Sequence, residues 1–184
     1  MKKWLLGSLI GAILLFAWQF LSWAVLGLHD KEYKYSPAQD QVISAVSSAL
    51  KEDGQYMMPT AAPNATTADK EKLMTEMEGK PYVMINYRSG YHFDMTMAMI
   101  RAFLVDVVIV VLAIYVLSGH ANLTMGTAWA VSLAFGFIAW LWYPYTQHIW
   151  FQSAIEVITG ALMDWFVVYS LLGLWLGFWL KRNP

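Results

Sequence analysis

A chain of 184 residues that is 58% hydrophobic and only 14% charged does not have the composition of a soluble globular domain. Its 12 Lys and Arg against 13 Asp and Glu give a net charge of -1, which argues against a basic surface for nucleic acid. With no cysteine, structural disulfides, thiol redox chemistry and thiolate metal sites are excluded together.

The first apolar run, residues 4–28, has Ser8, Gln19 and Ser22 as its only polar side chains. At about 1.5 Å per residue it exceeds a hydrocarbon core of about 30 Å. With Lys2 and Lys3 before it, the run reads as an uncleaved signal anchor over residues 1–28, amino terminus inside.

Residues 29–94 change character, carrying ten acidic and seven basic residues. This is a small α+β extracytoplasmic module. Ser36, Pro37 and Gln39 form a capping-box start for a helix running to about Asp53, with Val42, Val46, Ala49 and Leu50 as its apolar stripe and Gly54 as its stop. Residues 55–58 read as extended, 68–78 as a second, more polar helix, and 81–87 as a strand. So few short elements make too small a core for an independent domain, so the module is expected to borrow stability from the membrane helices or a partner.

Three further apolar runs, at about 95–117, 125–143 and 154–180, complete an all-α integral membrane protein of four transmembrane helices, with residues 95–184 forming the last three. Short connections at 118–124 and 144–153 make successive helices antiparallel neighbours. Lys2, Lys3, Lys181 and Arg182 place both termini in the cytoplasm. Aromatic residues near the ends of the runs, among them Trp4, Trp23, Trp142, Tyr143, Tyr145, Trp150 and Trp179, read as an interfacial belt.

Ionisable residues inside a bilayer are costly, which makes Arg101, Asp106, Glu156 and Asp164 candidates for function. On the helical rise Asp106 and Asp164 both lie about 15 Å from the outer ends of their helices, and Gln19 arrives at a similar level. These three form a predicted intramembrane polar cluster. Its plain reading is a structural contact that fixes helix register, and its functional reading is a proton or cation relay. Arg101 and Asp106, five residues apart, point about 140° away from each other, so Glu156 is the predicted partner of Arg101 in an outer ion pair.

His29, His92 and His148 fall on the outer side and are weak candidates for a metal site, without any ligand spacing to support them; His120 lies inside. Gly7 and Gly11, and Gly173 and Gly177, are small-residue pairs for close helix packing, within the bundle or toward a partner. The sequons at Asn64 and Asn122 are weak signals. No phosphate loop, nucleophile elbow or other catalytic signature is present, no cofactor is implied, and whether the chain is an enzyme is left open.

Trp18, Trp23, Leu26 and His29, then Val42, Gly54-x-Tyr56-x-x-Pro59, Asp106 and Asp164-Trp165 resemble an uncharacterised family of small bacterial four-helix inner-membrane proteins with no assigned activity. The family tends to carry Pro where this chain has Gly27. The resemblance implies a bacterial inner membrane and supplies no catalytic residues. Three functions follow as expectations. The first is an accessory or structural subunit of a larger membrane complex, whose partners are the bilayer and other membrane subunits. The second is a small transporter or proton-conducting protein using intramembrane carboxylates. The third is a metal-dependent membrane enzyme.

Overall fold

The computed structural model describes residues 2–182. The protein is 69% helical, with four helices long and apolar enough to cross a membrane and one small sheet. In chain order the elements are α1 (Lys2–Phe20), continued by a π turn (Leu21–Val25), α2 (Gln39–Ala49), β1 (Gly54–Met58), α3 (Thr67–Met77), β2 (Val83–Tyr87) and α4 (Met95–Ser118). Then come α5 (Met125–Trp140), a second π turn (Leu141–Tyr145), α6 (Thr146–Phe151) and α7 (Ile155–Arg182).

The chain divides into two compact units, and the long helices form the first. Helix α1 packs on both α4 and α7, α7 also packs along α5, and α4 barely meets α5. Adjacent helices run antiparallel. Gly7 of α1 meets Trp179 of α7 while Ser22 meets Asp164, and Gly177 of α7 meets Met125 of α5 while Gly136 meets Trp165. A core of Leu15, Val110, Ile114, Leu117, Leu172 and Leu176 is fully buried between them. Indole groups tie the helices together: Trp175 Nε1 donates to Gly7 O at 3.0 Å, Trp165 Nε1 to Leu133 O at 3.1 Å and Trp140 Nε1 to Ile158 O at 3.2 Å. In an apolar layer such bonds matter because these carbonyls and N–H groups lack water as an alternative partner.

The third long helix extends further than its sequence suggests. A loop is expected from Pro144 to Ser153, yet helical structure continues to Phe151 and stops where Gln152 takes φ 50. Pro144 sits inside the π turn, a wider turn that accommodates a residue lacking its own N–H better than a regular α turn would.

The second unit, Tyr35–Phe93, holds α2, α3 and an antiparallel β1–β2 ribbon in which Tyr56 is paired with Ile85. Segment 29–34 groups with the long helices. Helix α2 begins at Gln39 instead of Pro37: Ser36 Oγ accepts from Ala38 N at 3.3 Å in a local turn, and the helix starts after it. It also ends early, at Ala49, because Leu50 is extended, and Gly54 opens β1 instead of stopping a helix. The capping box lies at α3, where Thr66 and Asp69 bond reciprocally.

Asp53 ties the ribbon's ends together, accepting from Ser89 N and Oγ at 2.8 Å each and from Arg88 Nη1 at 3.4 Å. The Ser89 hydrogen bonds, backbone first, hold the Asp53 carboxyl below its ordinary value of 3.8. The folded form favours the ionised state, so the contribution is complete above that ordinary value and is lost as pH falls through the lowered one. Among the described residues of Tyr35–Phe93 none is buried, and Val42 and Ile43 on α2 are 55% and 63% exposed. Two helices and a ribbon have formed without a core.

Candidate functional site: a polar seam facing an aromatic cleft

Helix α1 carries the seam. Leu15, Gln19 and Ser22 follow one another at spacings of four and three, so they share one face, and Trp18 lies beside them. Gln19 Nε2 donates to Asp106 Oδ1 at 2.8 Å, joining α1 to α4. On the other flank, Trp18 Nε1 donates to Asp164 Oδ1 at 2.9 Å and Ser22 Oγ donates to the same oxygen at 2.6 Å, joining α1 to α7. Ser22 is fully buried within the π turn, which widens the helix where its side chain meets Asp164.

The chain then turns back. Gly27 takes φ 60, a left-handed conformation that glycine adopts without strain. This reversal returns His29 to the seam, where its Nε2 lies 2.9 Å from Asp164 Oδ2 and 3.0 Å from Ser22 Oγ. His29 Nδ1 contacts Glu32 Oε1, so the ring is held between two carboxylates. Trp23 stacks flat on it, centroids 3.9 Å apart and planes within 3°. Gly160 of α7 makes room, because a Cβ there would lie 2.6 Å from Glu32 Oε1 and 3.0 Å from His29 Nδ1.

Asp106, Asp164 and Gln19 line one cleft of about 360 Å³, together with Trp140, Tyr143, Trp165 and Tyr169. Gln19 bonds Asp106, while Asp164 is held separately by Trp18, Ser22 and His29. Asp106 is 1% exposed, and its Oδ2 has no hydrogen-bond partner. That oxygen is a buried acceptor left unsatisfied at the cleft.

No protein-family model, curated protein or solved structure matches this chain. The site is therefore read from its own geometry. Trp23 and His29 form its stacked pair, and Trp18, Asp106, Asp164 and Trp165 bond or line the cleft.

The predicted outer ion pair is absent among the described residues. Arg101 is exposed, and no salt bridge joins it to Glu156. Asp106 is turned into the bundle, so Arg101, about 140° around the helix, is turned out of it. Glu156 sits in the first turn of α7, where a negative charge suits the helix N-terminus. The histidine candidates go separate ways. His29 is spent on Ser22, Asp164 and Glu32, His148 Nδ1 donates to Ser153 O at 2.7 Å, and His92 belongs to the other unit. Among the described residues no group of three or more His or acidic side chains has metal-holding geometry.

The four packing glycines all face helix neighbours: Gly7 faces Trp179, Gly11 faces Val110 and Trp175, Gly173 faces the backbone of Trp129 and Ala128, and Gly177 faces Met125 and Ala128. Ser22, Trp18 and Glu32 were not singled out from the sequence as site residues. Ser22 was visible as one of three polar side chains in the first apolar run, whereas Glu32 enters only through the Gly27 reversal.

Proposed function

We propose that this chain is an accessory subunit of a larger bacterial inner-membrane complex, crossing the bilayer four times with both termini in the cytoplasm and residues 29–94 outside. The four long apolar helices support the multi-pass reading, and Lys2, Lys3, Lys181 and Arg182 support the orientation. The bacterial location rests on the family resemblance. The observation that carries the subunit role is the Tyr35–Phe93 unit, which keeps its secondary structure with no residue buried among those described. A two-stranded ribbon and two short helices are marginal in water without an apolar face to cover, and a partner's surface supplies that cover.

Hydrogen exchange on the full chain tests this reading. Amides of α2 and β1–β2 are expected to show less than about tenfold protection in the solitary purified chain and at least about a hundredfold in the native membrane assembly. Strong protection in the solitary chain would contradict it, because the module would then be stable without a partner.

A second reading, a small transporter or proton-conducting protein, is favoured by the unpaired Oδ2 of Asp106. A continuous proton path has less support. Between Asp106 and the helix ends at Ser118 and Lys181 lies the predominantly apolar layer of Leu15, Val110, Ile114, Leu117, Leu172 and Leu176.

A further inference from the structure

Because α4 and α5 barely meet, a groove runs between them, with α7 contributing to its walls. It has two parts of opposite character. The part beside the polar seam, about 360 Å³, is acidic and aromatic. A second part of about 320 Å³ shares Ile109 and Tyr169 with it and is otherwise lined by Leu112, Ala113, Val116, Phe135 and Leu172, all apolar. Ile109 and Tyr169 line both, so the two parts lie side by side.

In the acidic part, both indole N–H groups, the Gln19 amide N–H and the Asp164 carboxylate are already engaged within the bundle. Trp140 and Trp165 have committed their indole N–H groups to Ile158 O and Leu133 O, and what they present to a ligand is ring surface. Asp164 has both oxygens bonded, to Trp18, Ser22 and His29. Of the two carboxylates, Asp106 keeps one oxygen without a partner although the residue is 1% exposed. A buried carboxylate with one unsatisfied oxygen, among aromatic faces, is complemented by a cation that is itself poorly hydrated. An adjoining apolar compartment is complemented by a hydrocarbon chain.

We propose that this groove binds an organic ammonium with a hydrocarbon tail, its charged head against Asp106 and its tail in the apolar part toward Leu112 and Leu172. The head is recognised by charge at Asp106 and by ring faces of Trp140, Tyr143, Trp165 and Tyr169. Gln19 holds Asp106 in place through its other oxygen. The inference stands apart from the subunit role, since it concerns only the helical unit.

The test is equilibrium binding of radiolabelled decyltrimethylammonium to the full-length protein in uncharged nanodiscs, with empty nanodiscs as the background. The expected result is saturable binding near one per chain. Decanol and decyl sulfate at the same concentration are expected to leave it in place, because they share the tail and lack the positive charge. Asp106→Asn retains an oxygen for Gln19 and is expected to weaken binding by about tenfold or more, with its thermal unfolding midpoint close to that of the unaltered chain. Displacement by added phosphatidylethanolamine would identify the resident cation as a lipid amine, and no displacement a free amphiphile; both support the groove's assignment. Equal displacement by decanol, no saturable binding, or unchanged affinity in Asp106→Asn overturns it. Should Asp106→Asn fail to accumulate, the decanol and decyl sulfate arms decide alone.

Discussion

Gly173→Ala is expected to unseat α5 from α7 and to lower the unfolding free energy of the helical unit by about 3 kcal/mol. An added Cβ at this position would stand 2.6 Å from Trp129 Cα and 3.0 Å from Ala128 O. Both are backbone atoms, and backbone in a packed helix is unable to swing aside as the end of a side chain does. Relief requires one helix to move off the other, which opens the contact that also buries Ala128, Leu172 and Leu176. The comparison is Gly126→Ala, on the same helix as Ala128 and Trp129 but facing open space, where a Cβ would meet only Thr124 Oγ1 at 3.9 Å. There the better helix propensity of alanine leaves stability unchanged or slightly raised. Titration of both variants with a denaturing detergent, followed by loss of helicity, measures the difference. Equal stability of the two would mean that α5 and α7 do not approach as closely as described.

Asp164→Ala has the second large expected effect, and Asp164→Asn separates its causes. Three groups converge on this carboxylate: Trp18 Nε1 at 2.9 Å, Ser22 Oγ at 2.6 Å and His29 Nε2 at 2.9 Å. Hydrogen bonds between membrane helices average about 0.6 kcal/mol each, so their loss alone amounts to about 2 kcal/mol. Ser22 and His29 are 0% and 5% exposed, so leaving them without this partner adds a desolvation cost of about 1–3 kcal/mol. Alanine is therefore expected to destabilise by about 3–5 kcal/mol and to free the segment after Gly27, because His29 loses its anchor on α7. Asparagine keeps an oxygen for Trp18 and Ser22 and is expected to retain most of the stability. The readouts are the denaturation midpoint and the accessibility of segment 29–34 to added protease. If alanine and asparagine behave alike and leave the segment protected, the seam does not hold it.

How much of this was legible in the sequence depends on the kind of signal. The four long helices follow from run length and hydropathy alone, because a bilayer-sized apolar run has few other folded uses. The alignment of Gln19, Asp106 and Asp164 at one level followed from the 1.5 Å rise, and all three line one cleft. Depth is only one coordinate, however. The pairing assigned to Arg101 and Glu156 used depth and ignored azimuth, and with Asp106 turned inward Arg101 points out of the bundle. His29 and Glu32 were out of reach for a different reason. Their place in the seam depends on the positive φ of Gly27 and on the space left by Gly160, and neither a dihedral angle nor a missing Cβ appears in hydrophobic periodicity.

The helix at 146–151 was hidden by Pro144, which normally marks a break and here occupies a π turn. In the Tyr35–Phe93 unit the apolar stripe of α2 suggested a buried face, yet Val42 and Ala49 are exposed and Val46 and Leu50 only half-buried. A stripe says only that a face is apolar. What covers it is a property of the assembly.

The most direct measurement is the native mass of the protein after mild-detergent extraction from its own cells, with the accompanying chains identified. The account predicts a defined assembly well above the 20.9 kDa of the single chain, containing at least one other membrane protein in fixed proportion. Recovery of a solitary chain, or of copies of this chain alone, would contradict it.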